Sequence, residues 1–198
     1  MPVDRQDLRR RLAQLAAAQS GHFTAQQALA LGYSYAAQKH HADRGNWVRV
    51  ERGIYRLPEW PVGAHDDLVR WSLWAPEGAA ISHDSAASFH DLGDLNPADV
   101  HITVPRRFRG AAPGVRFHVA PLGEGDVSPF GGFRVTTPRR TIADLAEGAI
   151  GLDQLGTLVA DAVDRGLVDP DELRSDAAQR GAGARARITE ALALEGIA

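Results

Sequence analysis

The residues able to do chemistry in this chain are chiefly histidines and arginines. There are 8 histidines and no cysteine, and of 22 Lys+Arg only Lys39 is a lysine. Without cysteine, disulfide scaffolds, iron–sulfur clusters and thiolate zinc sites are excluded. No lysine follows Lys39, which argues against Walker-type phosphate binding, PD-(D/E)xK nuclease chemistry, Schiff-base catalysis and protein-kinase chemistry. The sequence holds no GxSxG, GxGxxG or GxxxxGK[ST] motif and no Gly-Ser…Asp-x-Asp nucleotidyltransferase motif. Ser82, His83 and Asp84 are neighbours in sequence, whereas a catalytic triad is assembled in space, so they read as a helix N-cap. No catalytic residue and no cofactor is expected.

Four histidines offer an alternative. His83 and His90 are seven apart and share a helix face, and His101 and His118 lie on the polar faces of two strands, with Asp84 and Asp91 nearby in sequence. They would suit a metal-dependent enzyme acting on nucleic acid. Their spacing matches no HExxH-type ligand motif, so helix caps and sheet-surface residues are the plainer reading and no metal is expected.

The stronger chemistry is recognition. Tyr35, Gln38, Lys39, His40, His41 and Arg44, behind a cap at Ser34, place donors over three turns of one short helix. Gln38 suits adenine; Lys39 and Arg44 suit guanine or phosphate. Asn46, Arg49, Arg52 and Arg56 follow on a hairpin that would reach flanking phosphates or a minor groove. The rival reading is a solvated helix and hairpin serving as a protein-interaction module. Arg106, Arg107 and Arg109 make a basic loop after a strand, a second candidate contact. Arg139 and Arg140 open a helix, where the dipole disfavours cations. Asp144, four residues beyond Arg140, is the expected structural partner.

These residues need elements to position them. Leu8, Leu12 and Leu15 stripe a helix from about Asp4 to Gln19. Thr24 and Gln27 form a capping box for a second helix that ends at Gly32, and Ser34 caps a third, Tyr35 to Arg44. Trp47–Val50 and Ile54–Leu57 alternate around Gly53 as a hairpin. Three short helices and a hairpin form a winged helix-turn-helix pattern. A helix follows near 65–75, with Leu68, Trp71 and Ala75 inward, and another from Ser82 to Leu92. Strands fall near 100–104, 115–119 and 132–136, and Thr137-Pro138 opens a helix. Three further helices finish the chain, the second opened by Asp169-Pro170 and the last over 184–195.

The expected fold class is α+β: a winged helix-turn-helix domain at 1–60, then at 61–198 a mixed α/β domain with a small sheet and a helical C-terminal end. Residues 1–60 carry nine Lys+Arg against five Asp+Glu, a balance of +4, and the remainder carries 13 against 20, a balance of −7. A basic head on an acidic body suits a polyanionic partner. No apolar run approaches the ~18 residues of a membrane span, and the N-terminus does not read as a signal peptide. A cytoplasmic protein without a membrane partner is the expectation.

The head, ending in Arg52-Gly53-Ile54-Tyr55-Arg56-Leu57, resembles the N-terminal domain of the AbiEi family, antitoxins and transcriptional regulators of type IV toxin–antitoxin systems. Ile81-Ser82-His83-Asp84-Ser85-Ala86-Ala87-Ser88-Phe89-His90-Asp91-Leu92-Gly93, His101-Ile102-Thr103-Val104-Pro105 and the run from Val135 to Leu145 resemble its following segments. The resemblance covers roughly residues 5–165. It implies a bacterial DNA-binding antitoxin that represses its own operon through inverted repeats in its promoter. Its functional partner would be a nucleotidyltransferase toxin that need not touch it, in a phage-defence setting. The protein would be a monomer or weak dimer that pairs on double-stranded DNA. A similar head also occurs fused to a Vsr-like nuclease domain, but the chain stops too early for that domain and lacks the lysine it needs.

Overall fold

The capping box forms. Thr24 Oγ1 accepts the Gln27 N–H at 3.0 Å, and Gln27 Oε1 accepts the Thr24 N–H at 2.7 Å. A computed structural model describes residues 5–197 of the chain. It divides into two compact units: residues through Pro76 together with 129–133, and the remainder.

The first unit holds α1 (Arg5–Ala17), β1 (His22–Thr24), α2 (Ala25–Leu31), α3 (Tyr35–Asp43), β2 (Val48–Glu51), β3 (Ile54–Arg56) and α4 (Asp66–Trp74). Asp4, the expected start of α1, lies outside the described residues. The helix ends two residues before Gln19 because Ser20 and Gly21 take positive φ angles of 49° and 81°. The hairpin closes at Gly53, whose φ of 78° an L side chain resists. A strand not anticipated from sequence, β1, pairs antiparallel with β3, so the sheet order is β1-β3-β2. The core gathers Leu12, Ala16, Phe23, Ala28, Tyr33, Trp47 and Leu57. Within it Phe23 meets Trp47 edge-on at 4.8 Å, and Trp47 lies 5.5 Å from Tyr55. Such ring pairs add about 0.5–1.5 kcal/mol each beyond area burial. Since α4 packs on β1 and β3, the compact grouping extends past the expected division at 60/61. Val69 and Trp71 are its buried residues, while Leu68 and Ala75, expected inward, are half-buried.

The second unit holds β4 (Ala80–Ile81), α5 (His83–Phe89), β5 (Val100–Val104) and β6 (Val115–Val119), then β7 (Val127–Phe130) and β8 (Phe133–Thr136), whose hairpin tip groups with the first unit. Helices α6 (Pro138–Glu147), α7 (Leu152–Asp164), α8 (Pro170–Arg180) and α9 (Ala182–Leu194) follow. The sheet order is β6-β5-β4-β8-β7; β5 runs parallel to β6, β4 parallel to β8, and β4 antiparallel to β5. Three of these strands match the sequence reading; β4 and β7 do not appear in it. Leu92, Ile142, Leu155, Leu158, Leu173, Ile188 and Leu192 fill the helical core. Helix α5 stops at Phe89 rather than Leu92, because Asp91 and Gly93 adopt positive φ. At Gly93 a Cβ would sit 2.6 Å from the Leu158 side chain, so the chain can pass there only as glycine. Among the described residues no helix is long and apolar enough to cross a membrane.

Candidate nucleic-acid interface

Ser34 Oγ accepts the Ala37 N–H and starts α3 one residue after the α2–α3 turn. Tyr35, Lys39 and His40 stand exposed on its outer face, with Tyr35 64% exposed. Arg44, Asn46, Arg49 and Arg52 are exposed beyond it. These side chains crown a unit whose aromatic core fixes the helix against the hairpin.

One expected contact needs correcting, and two others are partly withdrawn from solvent. Gln38 is 2% exposed and donates from Nε2 to the carbonyls of Ala25 and Tyr33, at 3.1 and 3.2 Å. It joins α3 to α2 and cannot read a base from there. His41 is half-buried, stacked on Trp47 at 4.9 Å, with its imidazole held below the usual range by burial and then by His40 and Arg9. Arg56 is half-buried and donates to the Trp60 carbonyl at 2.7 Å. His41 and Arg56 therefore position the interface more than they present to it. Asp43, a residue the sequence reading passed over, accepts from Lys39 Nζ at 2.7 Å and lowers the charge of the same face. Their i,i+4 spacing was the available signal.

In the second unit Arg106, Arg107 and Arg109 are exposed, and Phe108 pins their loop edge-on to Phe117 at 5.0 Å. Arg140 is the opposite case, 3% exposed. Its Nε donates to Asp144 Oδ1 at 2.7 Å, and its Nη1 to Asp126 Oδ2 at 2.6 Å and the Pro121 carbonyl at 2.9 Å. Arg180 adds a second cation, 3.2 Å from Asp144. Burial pushes the Asp144 carboxyl up, with Arg140 and Arg180 pulling against it. These carboxylates offset the helix-dipole cost of a cation at the start of α6.

The histidines assemble in a way their spacing did not show. His83 stacks on His118, ring centres 3.6 Å apart and planes 15° from parallel. His118 Nε2 lies 3.3 Å from His101 Nδ1, and His101 Nδ1 lies 3.1 Å from Asp84 Oδ2. Burial, then the neighbouring rings, lowers His83 to about 3, and burial and His101 lower His118 to about 4. The hydrogen bond from His101 holds the Asp84 carboxyl below its ordinary value. Ser82, expected to cap α5, makes no side-chain cap bond; its Oγ meets His83 Nδ1 at 3.0 Å. His90 stands apart, its Nε2 donating to the Thr136 carbonyl at 2.7 Å. Among the described residues no group of three or more His, Asp or Glu side chains could hold a metal ion.

Residues 10–58 match a family model described as a transcriptional regulator, AbiEi antitoxin. Residues 79–194 match the model of the AbiEi antitoxin C-terminal domain. No curated protein matches. Among solved structures, the crystal structure of the RV2827C protein from Mycobacterium tuberculosis has a TM-score of 0.62 at 17% identity. That match covers 95% of this chain and 76% of the other. At this identity the likeness is one of fold.

Proposed function

The chain belongs to the AbiEi antitoxin family of transcriptional regulators, and from that premise we propose that it represses its own operon by binding inverted repeats in the promoter. In this reading the first unit is a winged helix-turn-helix. Helix α3 enters the major groove, and the β2–β3 hairpin is the wing. The observation that carries it is that Tyr35, Lys39, His40, Arg44, Asn46, Arg49 and Arg52, on α3 and the segments that follow it, are all exposed around a buried aromatic core. Tyr35, Lys39, His40 and Arg44 face base edges or adjacent phosphates; Arg49 and Arg52 neutralise flanking phosphates.

The second unit counters a nucleotidyltransferase toxin without catalysis of its own. Support comes from its match to the antitoxin C-terminal domain. Direct contact with the toxin is not required by this reading, and pairing of two chains takes place on the DNA.

Fluorescence anisotropy on the protein's upstream DNA tests the repressor half, with a scrambled duplex as control and both titrated in salt. The full chain should prefer its own promoter. The Arg49→Ala/Arg52→Ala double variant should weaken binding to both duplexes and reduce the salt slope by about 2, roughly one per phosphate contact. Equal weak binding to both duplexes by the unaltered chain would defeat the proposal. The same double variant should still protect cells from the toxin, because its second unit is untouched.

A further inference from the structure

We propose that the loop joining β5 to β6, residues 105–114, is a second contact with the phosphate backbone of duplex DNA, made by Arg106, Arg107 and Arg109. The inference rests on the DNA-binding reading and extends it to the second unit.

The three arginines are exposed, and among the described residues their side chains have no carboxylate or carbonyl partner. Other arginines of the same unit are occupied. Arg116 pairs with Asp99 at 3.2 Å, Arg139 with Asp176 at 2.8 Å, and Arg165 donates to the carbonyls of His90 and Asp91. An exposed guanidinium without such a partner keeps its N–H donors for a ligand. Residues 100–123 hold four arginines and no Asp or Glu, inside a stretch, 61–198, whose balance is −7. A cluster of one sign on a body of the other makes a local positive field, which draws a polyanion to that place.

The fold holds the loop in position. β5 and β6 are parallel, with Val100 opposite Val115 and Val104 opposite Val119, so the connection must run back along the sheet. Side chains alternate along a strand. Ile102 and Phe117 therefore share one sheet face, and His101 and His118 the other. His83 of α5 stacks on His118, while Phe108 meets Phe117 edge-on at 5.0 Å. The loop thus crosses the sheet on the face away from α5. Arg106 and Arg109 are three residues apart, a span of at most about 10 Å. That reaches two or three phosphates of one strand, at one per about 3.4 Å of helix axis.

The chemistry the loop offers is cationic alone. Phe108 is turned toward Phe117, and no large apolar side chain within 105–114 is exposed. A protein interface is anchored by apolar or aromatic groups at its centre, whereas a phosphate backbone needs only donors and positive charge. A guanidinium can give one phosphate two parallel hydrogen bonds. Such a contact reads no base, so it adds affinity without adding sequence preference.

The test repeats the salt titration by fluorescence anisotropy, on promoter and scrambled duplex, with the full chain and its Arg106→Gln/Arg107→Gln/Arg109→Gln variant. Binding to both duplexes should weaken by the same factor, and the salt slope should fall by about 2–3, at roughly 0.9 per phosphate contact. The preference for the promoter should be kept. Arg185→Gln removes an exposed arginine of α9 and should leave the slope unchanged, which separates a local contact from a loss of net charge. The loop side chains are exposed, so the Tm should hold; if the triple variant melts early, the three single variants replace it, each lowering the slope by about 0.9. Affinity and slope equal to those of the unaltered chain would overturn the proposal and leave the repressor reading standing. Equal binding of the unaltered chain to both duplexes, with the slope still falling in the variant, would defeat the repressor reading and leave this contact standing. Loss of protection from the toxin with DNA binding unchanged would make the loop a protein-docking surface and overturn the proposal as well.

Discussion

The first unit packs rings into its core and leaves cations at its surface, whereas the second buries an arginine and stacks its histidines. In the first, Phe23, Tyr33 and Trp47 are buried, while Lys39, Arg44, Arg49 and Arg52 reach solvent. In the second, Arg140 is 3% exposed between Asp126 and Asp144, and His83 lies against His118. A guanidinium already bonded to two carboxylates cannot greet a phosphate. Charge in the first unit is therefore available to a partner, and charge at the centre of the second holds its own chain together. Net charge alone blurs this difference, because it counts Arg140 and Arg52 alike.

The contrast can be broken most severely at Arg140. Arg140→Ala leaves Asp126 and Asp144 short of a buried cation and should cost about 3–5 kcal/mol of the second unit's stability. Urea unfolding reads the loss, and the promoter affinity of still-folded protein should be unaltered; a loss under about 1 kcal/mol would mean that Arg180 alone can neutralise both carboxylates. Next comes Gln38. Gln38→Ala strands two carbonyls between α2 and α3 and should cost the first unit about 1–3 kcal/mol. Its relative preference among duplexes should stay the same, since the side chain faces inward; a relaxed preference would restore it as a reader of bases.

Acid should act on the second unit through its rings. His83 and His118 bind protons near their ordinary value of 6.5 when unfolded, but near about 3 and about 4 when folded. The unfolded chain therefore takes up more protons across that window. Stability present above pH 6.5 should fall as pH drops toward 4, and the Tm of the protein follows it. His83→Asn suits the positive φ of 51° at that position and should flatten the fall. An unchanged acid slope would place the sensitivity elsewhere, at His22 or His90, whose imidazoles burial also lowers. The smallest effect sharpens the contrast. Asp43→Asn frees Lys39 from a 2.7 Å partner on the exposed face. It should strengthen promoter binding a few-fold, in keeping with the roughly 0.2–1 kcal/mol of an exposed pair.

What the sequence discloses here is local. Thr24 with Gln27, Ser34, Thr137 with Pro138 and Asp169 with Pro170 start helices where expected, because a cap is settled within four residues. The short strands β1, β4 and β7 escape notice; two residues such as Ala80 and Ile81 have no period to detect. Gln38 turns inward although an amide suits either face of a helix; the only sequence cue is the apolar Ala42, one turn on and on the same face. The histidine cluster draws one ring from α5 and one each from β5 and β6, so no spacing along the chain encodes it. Arg140 with Asp144 was readable as an i,i+4 pair, but Asp126 and Arg180 join it only through the tertiary fold.

The two-residue strand β4 also has a meaning in time. Ile81 pairs with Val135, made 54 residues later. At ~5–20 residues per second of synthesis, β4 waits about 3–11 s for its parallel neighbour to emerge. Once β5 has been made, one edge of β4 can be covered by it, while the other stays open to any passing strand until β8 emerges. The strands and helices of the head, β1 to α4, are complete by then. A nascent chain would thus own α3, the helix proposed to read DNA, before the centre of its second sheet has closed, and protease sensitivity of chains stalled between residues 105 and 135 would report the delay.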